Sequence, residues 1–177
     1  MSGEGLRDAA SELALRLRGF RPLRAALRLE MGHGVRVDGR VWLPGPGRVR
    51  IGDGVRLAGR RSAIELRAHS GGVIILEDGA VLEDGASIEA TSCVRIGARA
   101  HIGAFCKIID NHFHNVTGPR AGRPEAVPVE VGADAIVGPR AVLLPGAWMG
   151  EGACLGSASV LSFRLPAGAV FPGALRA

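Results

Sequence analysis

Apolar side chains recur at every sixth position through the last third of the chain. Between residues 131 and 160, each six-residue unit begins with an aliphatic side chain and has a small side chain at its fifth position. The first positions are Val131, Val137, Leu143, Met149 and Leu155, and the fifth positions are Ala135, Ala141, Ala147, Ala153 and Ser159. A period of six fits neither the helix repeat of about 3.6 residues nor the strand repeat of about two. It predicts a solenoid in which a short strand and a tight turn alternate.

Similar units occur earlier in the chain, although their spacing is less regular. They begin at Ile51, Leu76, Leu82, Ile88, Ile96 and Ile102, and two extra residues follow the unit at Ile88. The pattern predicts that the aliphatic residues point inward and stack from coil to coil, while the small residues occupy the corners. Glycine at the second position of many units is expected to supply the backbone freedom of the turns. Aromatic residues make up only 4% of the chain, which favours a narrow interior of Val, Ile, Leu and Ala.

Residues 4–30 have a different periodicity, which predicts a helix. Apolar residues follow a 4,3,4,3 spacing on one face, at Leu6, Ala10, Leu13, Leu17 and Phe20. We interpret residues 1–33 as a helical cap on the first coil of an all-β solenoid domain that spans residues 34–177. The alternative is a basic amphipathic helix that makes peripheral contact with an anionic membrane surface.

The composition narrows the cellular setting and the partners. The formal net charge is +5, and Lys107 is the only lysine. An excess of arginine suits phosphate groups or an anionic membrane, but base composition explains it equally well. The chain has no zinc-finger spacing and no basic stripe interleaved with aromatics, so no nucleic-acid partner is expected. Cys93, Cys106 and Cys154 are scattered and no long apolar run occurs, which indicates buried free thiols in a cytoplasmic protein.

Residues 57–72 follow the pattern poorly, and a polar segment that spans residues 110–128 interrupts the repeat completely. This segment follows the pair Ile108–Ile109 and precedes the unit that begins at Val131. It contains most of the candidate chemistry of the chain, at Asp110, Asn111, His112, His114, Arg120 and Arg123. A loop carried by a rigid scaffold is a common place for function. We therefore predict an active-site loop here, with Phe113 packing the base of the loop against the solenoid.

The six-residue units and the motif Asp-Asn-His-Phe-His at residues 110–114 resemble the hexapeptide-repeat acyltransferases. The resemblance extends from about Gly34 to the end of the sequence and implies a left-handed parallel β-helix with triangular coils. Within that family the motif is most similar to the D-x-D-F-H or D-x-D-W-H of sugar O-acetyltransferases, with His112 in place of the second aspartate. By this match His114 is the catalytic histidine.

The chemistry of histidine fits that assignment. A sugar hydroxyl attacks a thioester only if a base removes its proton during the attack, and neutral histidine is suited to this work at neutral pH. Asp110 is expected to orient His114 or His112, as the third member of a triad orients its histidine. A backbone N–H or a protonated His112 would stabilise the oxyanion.

The resemblance also implies a donor, an acceptor and an assembly. Acyl-CoA, with acetyl-CoA as the expected co-substrate, would lie between subunits of a homotrimer. By position its contacts would be Pro139, Ser157, Ser162, Arg164 and Arg176. The family's lysine after the last unit is replaced here by Phe163, and its tryptophan by Ile136. The acceptor would be a sugar or glycan precursor, either a small molecule or a lipid-linked sugar, contacted by Asn111, Arg120 and Arg123.

Two other functions remain open at this point. One is a zinc enzyme like the γ-carbonic anhydrases, which share this fold and bind zinc through three converging histidines. His101, His112 and His114 are the candidates, but the family's G-H-G-x-x-x-H run is absent, so no metal is expected. The other is a non-catalytic scaffold or assembly protein, favoured by the replaced tryptophan and lysine. For an acyltransferase of this family, a role in polysaccharide biosynthesis at the inner face of the membrane is expected.

Overall fold

The computed structural model describes residues 28–115 and 124–173. Within these ranges the chain forms eighteen strands and is a parallel β-solenoid of about seven coils. The strands are β1 (Leu29–Met31), β2 (Arg36–Trp42), β3 (Arg48–Ile51), β4 (Arg56–Ala68), β5 (Val73–Leu76), β6 (Val81–Leu82), β7 (Ser87–Ala90), β8 (Cys93–Ile96), β9 (His101–Ile102), β10 (Lys107–Ile109), β11 (Val129–Val131), β12 (Ile136–Val137), β13 (Val142–Leu143), β14 (Trp148–Met149), β15 (Cys154–Leu155), β16 (Val160–Leu161), β17 (Arg164–Leu165) and β18 (Val170–Phe171).

The strands line three faces of a prism. The first face is a seven-stranded sheet in the order β1-β3-β5-β8-β11-β14-β17. The other strands form one continuous sheet, because the long strands β2 and β4 cross a corner. The first part of β4 pairs with β6 on the second face, and its last part pairs with β7 on the third face. The corner between the second and third faces is called here the second corner, and the corner between the third and first faces the third corner.

The inward side chains stack in columns, as the pattern of six-residue units predicts. On the first face the register aligns Ile51, Leu76, Ile96, Val131 and Met149. On the second face it aligns Leu57, Leu82, Ile102, Val137 and Leu155. On the third face it aligns Leu66, Ile88, Ile108, Leu143 and Leu161. These side chains are buried, and burial of each aliphatic group stabilises the fold by about 1.5–3 kcal/mol.

The glycines at the second position of the units do not supply the backbone freedom that the sequence pattern predicts. A Cβ at Gly97, the second position of its unit, would lie 2.6 Å from the amide nitrogen of Ala133 in the next coil. These glycines therefore permit the close approach of neighbouring coils. The left-handed backbone occurs at the fourth position instead, where Gly79 has a φ of 69°. The same conformation is imposed on Arg99 and Arg140, which shows that the turn geometry repeats whatever the side chain.

Part of the predicted N-terminal cap belongs to the solenoid. Strand β1 pairs with β3, so the solenoid includes residues before the predicted boundary at residue 34. The rest of the predicted helix over residues 4–30 lies outside the described residues.

In the part of the chain that the structure describes, no helix is long and apolar enough to cross a membrane. Of the three cysteines, all free, Cys106 is buried as predicted, whereas Cys93 and Cys154 are only half-buried.

Candidate active site

Asp110 anchors the start of the loop at the third corner. It follows β10 directly and is fully buried. Its carboxylate accepts hydrogen bonds from the Thr91 amide at 2.8 and 3.0 Å and from the Ser92 amide at 2.7 Å. Thr91 and Ser92 form this corner of the preceding coil, between β7 and β8, and supply the amides that Asp110 binds. These contacts give Asp110 a structural role, and its role in orienting a histidine stays a prediction.

Backbone and side-chain contacts join the two ends of the loop. The Asp110 carbonyl accepts a hydrogen bond from the Val127 amide at 2.8 Å. The side chain of Asn111 is buried, and its Nδ2 donates to the Pro124 carbonyl at 2.8 Å, while its Oδ1 accepts from the Phe113 amide. The Asn111 side chain therefore holds the entry and exit of the loop together, and its contact with the acceptor stays a prediction.

Phe113 connects the loop to the solenoid, which confirms its predicted packing role. Its ring lies 5.2 Å from the ring of His69, centroid to centroid, with an interplanar angle of 51°. Its φ of 59° lies in the left-handed region, which a bulky side chain adopts only when its surroundings impose it. The backbone direction of His114, the next residue, is therefore set by a fixed neighbour.

His114 is the exposed imidazole at this corner, whereas His112 is half-buried. Nδ1 of His114 lies 3.1 Å from the carbonyl oxygen of Asn115. In the neutral tautomer that carries its proton on Nδ1, the ring donates a hydrogen bond to this carbonyl. Nε2 is then unprotonated, and its lone pair can accept a proton. That lone pair is what a general base needs.

A third imidazole, that of His69, lies beside the loop, and the sequence pattern does not predict it. His69 Nε2 lies 2.9 Å from Glu89 Oε1, and the other oxygen of Glu89 accepts from Lys107 Nζ at 3.0 Å. Burial raises the pKa of the Glu89 carboxyl, but the hydrogen bonds from His69 and Lys107 outweigh it and hold the pKa below its ordinary value. One signal in the sequence was available, since Lys107 is the only lysine and lies three residues before the start of the loop.

The predicted donor contacts lie on two different corners. Pro139 and Ser157 are stacked at the second corner, where the Pro139 carbonyl accepts from the Ala158 amide at 2.9 Å. Ser162 is exposed at the third corner, two coils beyond the loop. Arg164 starts β17 on the first face.

Arg164 is engaged in a contact within the chain. Its guanidinium carbon lies 4.0 Å from the centroid of the Trp148 ring. Arg120, Arg123 and Arg176 lie outside the described residues.

The zinc alternative is not supported by the geometry of its histidines. His101 lies in β9 on the second face, and its Nε2 is 2.9 Å from Glu83 Oε1. His112 and His114 lie at the third corner, so the three rings do not converge on one point. Among residues 28–115 and 124–173, no group of three or more His, Cys, Asp or Glu side chains is arranged to hold a metal ion.

Several solved structures share this architecture. A mutant of AntD, an N-acyltransferase from Bacillus cereus in complex with dTDP and coenzyme A, has a TM-score of 0.69 and 16% sequence identity, over 89% of this chain and 86% of that one. The hexapeptide-repeat containing acetyltransferase VCA0836 from Vibrio cholerae, complexed with acetyl coenzyme A, has a TM-score of 0.53 and 19% identity, over 96% and 83%. The polySia specific acetyltransferase NeuO has a TM-score of 0.53 and 14% identity, over 80% and 70%. No family model and no curated protein matches the chain.

The fold is thus the left-handed parallel β-helix of the hexapeptide-repeat acetyltransferases. At these identities the likeness establishes the architecture, which agrees with the fold predicted from the sequence.

Proposed function

We propose that the protein is a CoA-dependent acyltransferase that moves an acetyl or similar acyl group to a hydroxyl of a sugar or glycan precursor. The observation that carries the proposal is His114, an exposed imidazole on a loop fixed at both ends. Its Nδ1 faces a carbonyl, and its Nε2 is available for a proton. Structural neighbours crystallised with coenzyme A or acetyl coenzyme A support the choice of donor.

In the proposed reaction His114 acts as the general base. Its Nε2 takes the proton of the acceptor hydroxyl while the oxygen attacks the thioester carbonyl, which forms a tetrahedral oxyanion. The C–S bond then breaks, the acyl ester is released, and the proton held by His114 passes to the CoA sulfur. A positioned base of this kind contributes about 10²–10⁴-fold to the rate. His112 or a backbone N–H is the proposed donor to the oxyanion.

The donor site in this proposal includes Pro139, Ser157, Ser162, Arg164 and Arg176. Pro139 has no N–H, so at this position the backbone cannot donate a hydrogen bond to CoA. A homotrimer in which the second corner of one subunit lies near the third corner of its neighbour would let Pro139 and Ser157 share a ligand with Ser162.

The acceptor site in this proposal lies beside His114. Arg120 and Arg123 would hold an anionic group of a nucleotide- or lipid-linked sugar. The associated cellular setting is cytoplasmic, with peripheral contact at the membrane through the basic segment before residue 28. This setting suits an enzyme of polysaccharide biosynthesis.

The mechanism is tested by comparing His114→Ala with His112→Ala. The assay follows release of the CoA thiol from acetyl-CoA in the presence of a panel of neutral, acidic and nucleotide-linked sugars. We expect His114→Ala to lower kcat by about 10²–10⁴-fold and His112→Ala to lower it less. Hydroxylamine cleaves an ester product but leaves an amide, which distinguishes O- from N-acylation. Full transferase activity in His114→Ala would exclude this residue as the base.

A further inference from the structure

The outer surface of the third face carries an ordered row of polar side chains that ends in an exposed tryptophan. We call this row the third-face track. Cross-strand register aligns Trp42 with Glu65, Glu65 with Ser87, and Ser87 with Lys107, while Arg67 aligns with Glu89. The track therefore runs across four successive coils, from β2 to β10, and ends beside the loop that carries His114.

Hydrogen bonds hold the polar groups of the track in fixed positions. Arg67 Nη2 donates to Glu65 Oε1 at 2.7 Å, and Ser87 Oγ donates to Glu65 Oε2 at 3.3 Å. Lys107 Nζ donates to Ser87 Oγ at 3.0 Å and to Glu89 Oε2 at 3.0 Å. Each side chain is thus ordered before any ligand arrives, which reduces the entropy that a ligand would lose by ordering them.

The track keeps hydrogen-bonding capacity for a ligand. Among the described contacts, the Lys107 ammonium uses two of its three N–H donors. The Arg67 guanidinium directs its Nε and one Nη2 hydrogen at Glu65, and a guanidinium has five donors in total. Glu65 and Glu89 balance the charges of Arg67 and Lys107. The track therefore presents donors and acceptors with no net formal charge, which favours a neutral, polyhydroxylated ligand.

Trp42 supplies an apolar platform at the far end of the track. Trp42 is 56% exposed, and the Arg67 guanidinium carbon lies 6.0 Å from the centroid of its ring. The only other tryptophan, Trp148, is half-buried under Arg164 on the first face. An exposed aromatic face attracts the partly positive C–H hydrogens of a sugar ring, while hydroxyls at the ring edge need polar partners such as those of the track.

We propose that the third-face track binds a neutral oligosaccharide and aligns its reactive end with the loop. Three strand spacings separate Trp42 from Lys107, a length of about 14 Å, which exceeds one sugar ring. The track joins the loop through His69, which binds Glu89 and contacts the ring of Phe113. This inference rests on the proposed function, since it makes the bound glycan the acyl acceptor. It identifies that acceptor as a chain of several sugars instead of a monosaccharide.

Fluorescence of Trp42 tests the proposal directly. In a Trp148→Phe variant Trp42 is the single tryptophan, so its emission reports on the track alone. We would titrate this variant with maltohexaose, cellohexaose and chitohexaose, and with the corresponding monosaccharides. We expect a saturable change in emission with at least one hexasaccharide, and binding at least about tenfold weaker for its monosaccharide. The matched control is Trp42→Phe with Trp148 intact, whose emission should not respond.

Trp42→Ala, measured by calorimetry, separates this proposal from the proposed function. We expect it to weaken hexasaccharide binding by about tenfold, equivalent to about 1.4 kcal/mol, and to leave acetyl-CoA binding unchanged. Unchanged hexasaccharide affinity in Trp42→Ala would refute the proposal that the track binds the glycan. The proposal would also be refuted if none of the three hexasaccharides changed the emission of Trp42 at millimolar concentration. Binding of acidic oligosaccharides only, such as oligogalacturonate, would overturn the neutral specificity of the track. Loss of the proposed function would appear instead as sugar binding without acetyl-CoA binding.

Discussion

Replacement of Asp110 by alanine should destabilise the protein strongly, because its carboxylate satisfies two backbone amides at the third corner. The change removes the contacts to the Thr91 and Ser92 amides and leaves both donors without their charged acceptor. A hydrogen bond to a charged group contributes about 1.5–3 kcal/mol net. With two amides involved, we expect the free energy of unfolding to fall by about 3–5 kcal/mol.

Thermal unfolding is the appropriate assay for this effect. For a chain of this size, a loss of 1 kcal/mol lowers Tm by about 2–4 °C, so the expected shift is about 6–20 °C. Asp84→Ala is the matched control. The Asp84 carboxylate accepts from the Arg61 and Ser62 amides in the same manner but is only half-buried, so its loss should shift Tm less. An unchanged Tm in Asp110→Ala, together with lost activity, would refute the structural role and restore the orienting role.

Three further predictions follow from single side chains. The pKa of Glu89 is lowered in the folded protein, so the stability that its carboxylate contributes is present above the ordinary pKa and is lost as pH falls through the lowered pKa. In Glu89→Gln, Tm measured over the same acidic range should therefore fall less steeply with decreasing pH than in the unmodified protein. Burial raises the pKa of Cys106 to about 11, so alkylation of the native protein at mild alkaline pH, followed by mass spectrometry, should label Cys106 last of the three thiols. Gly97→Ala should lower the free energy of unfolding by about 1–3 kcal/mol in urea titrations, because its Cβ meets the backbone of Ala133; equal stability would contradict the close-approach explanation.

Most of the fold could be predicted from the sequence because one structural rule repeats. Each unit places an aliphatic residue such as Ile96 inside and a small residue such as Ala100 at a corner, and both are fully buried. The role of the second-position glycines could not be predicted in this way. That role depends on how closely neighbouring coils approach each other, and the sequence of a single unit carries no information on this distance.

The site was predicted less completely because its contacts cross between coils. The motif at residues 110–114 marked the loop, but the partners of Asp110 come from Thr91 and Ser92, about twenty residues earlier. The third-face track was missed for the same reason. Glu65 and Ser87 become neighbours only through the register of β4 and β7, and β4 lies in the stretch where the hexad pattern is least regular.

The central claim is that this β-helix carries an acyl-CoA donor site. The most direct test is a calorimetric titration of acetyl-CoA into the purified protein, because it needs no knowledge of the acceptor. If the donor site is present, binding should be saturable with a Kd near the micromolar range, about −8 kcal/mol. No detectable heat at several temperatures would contradict it and would favour a non-catalytic scaffold.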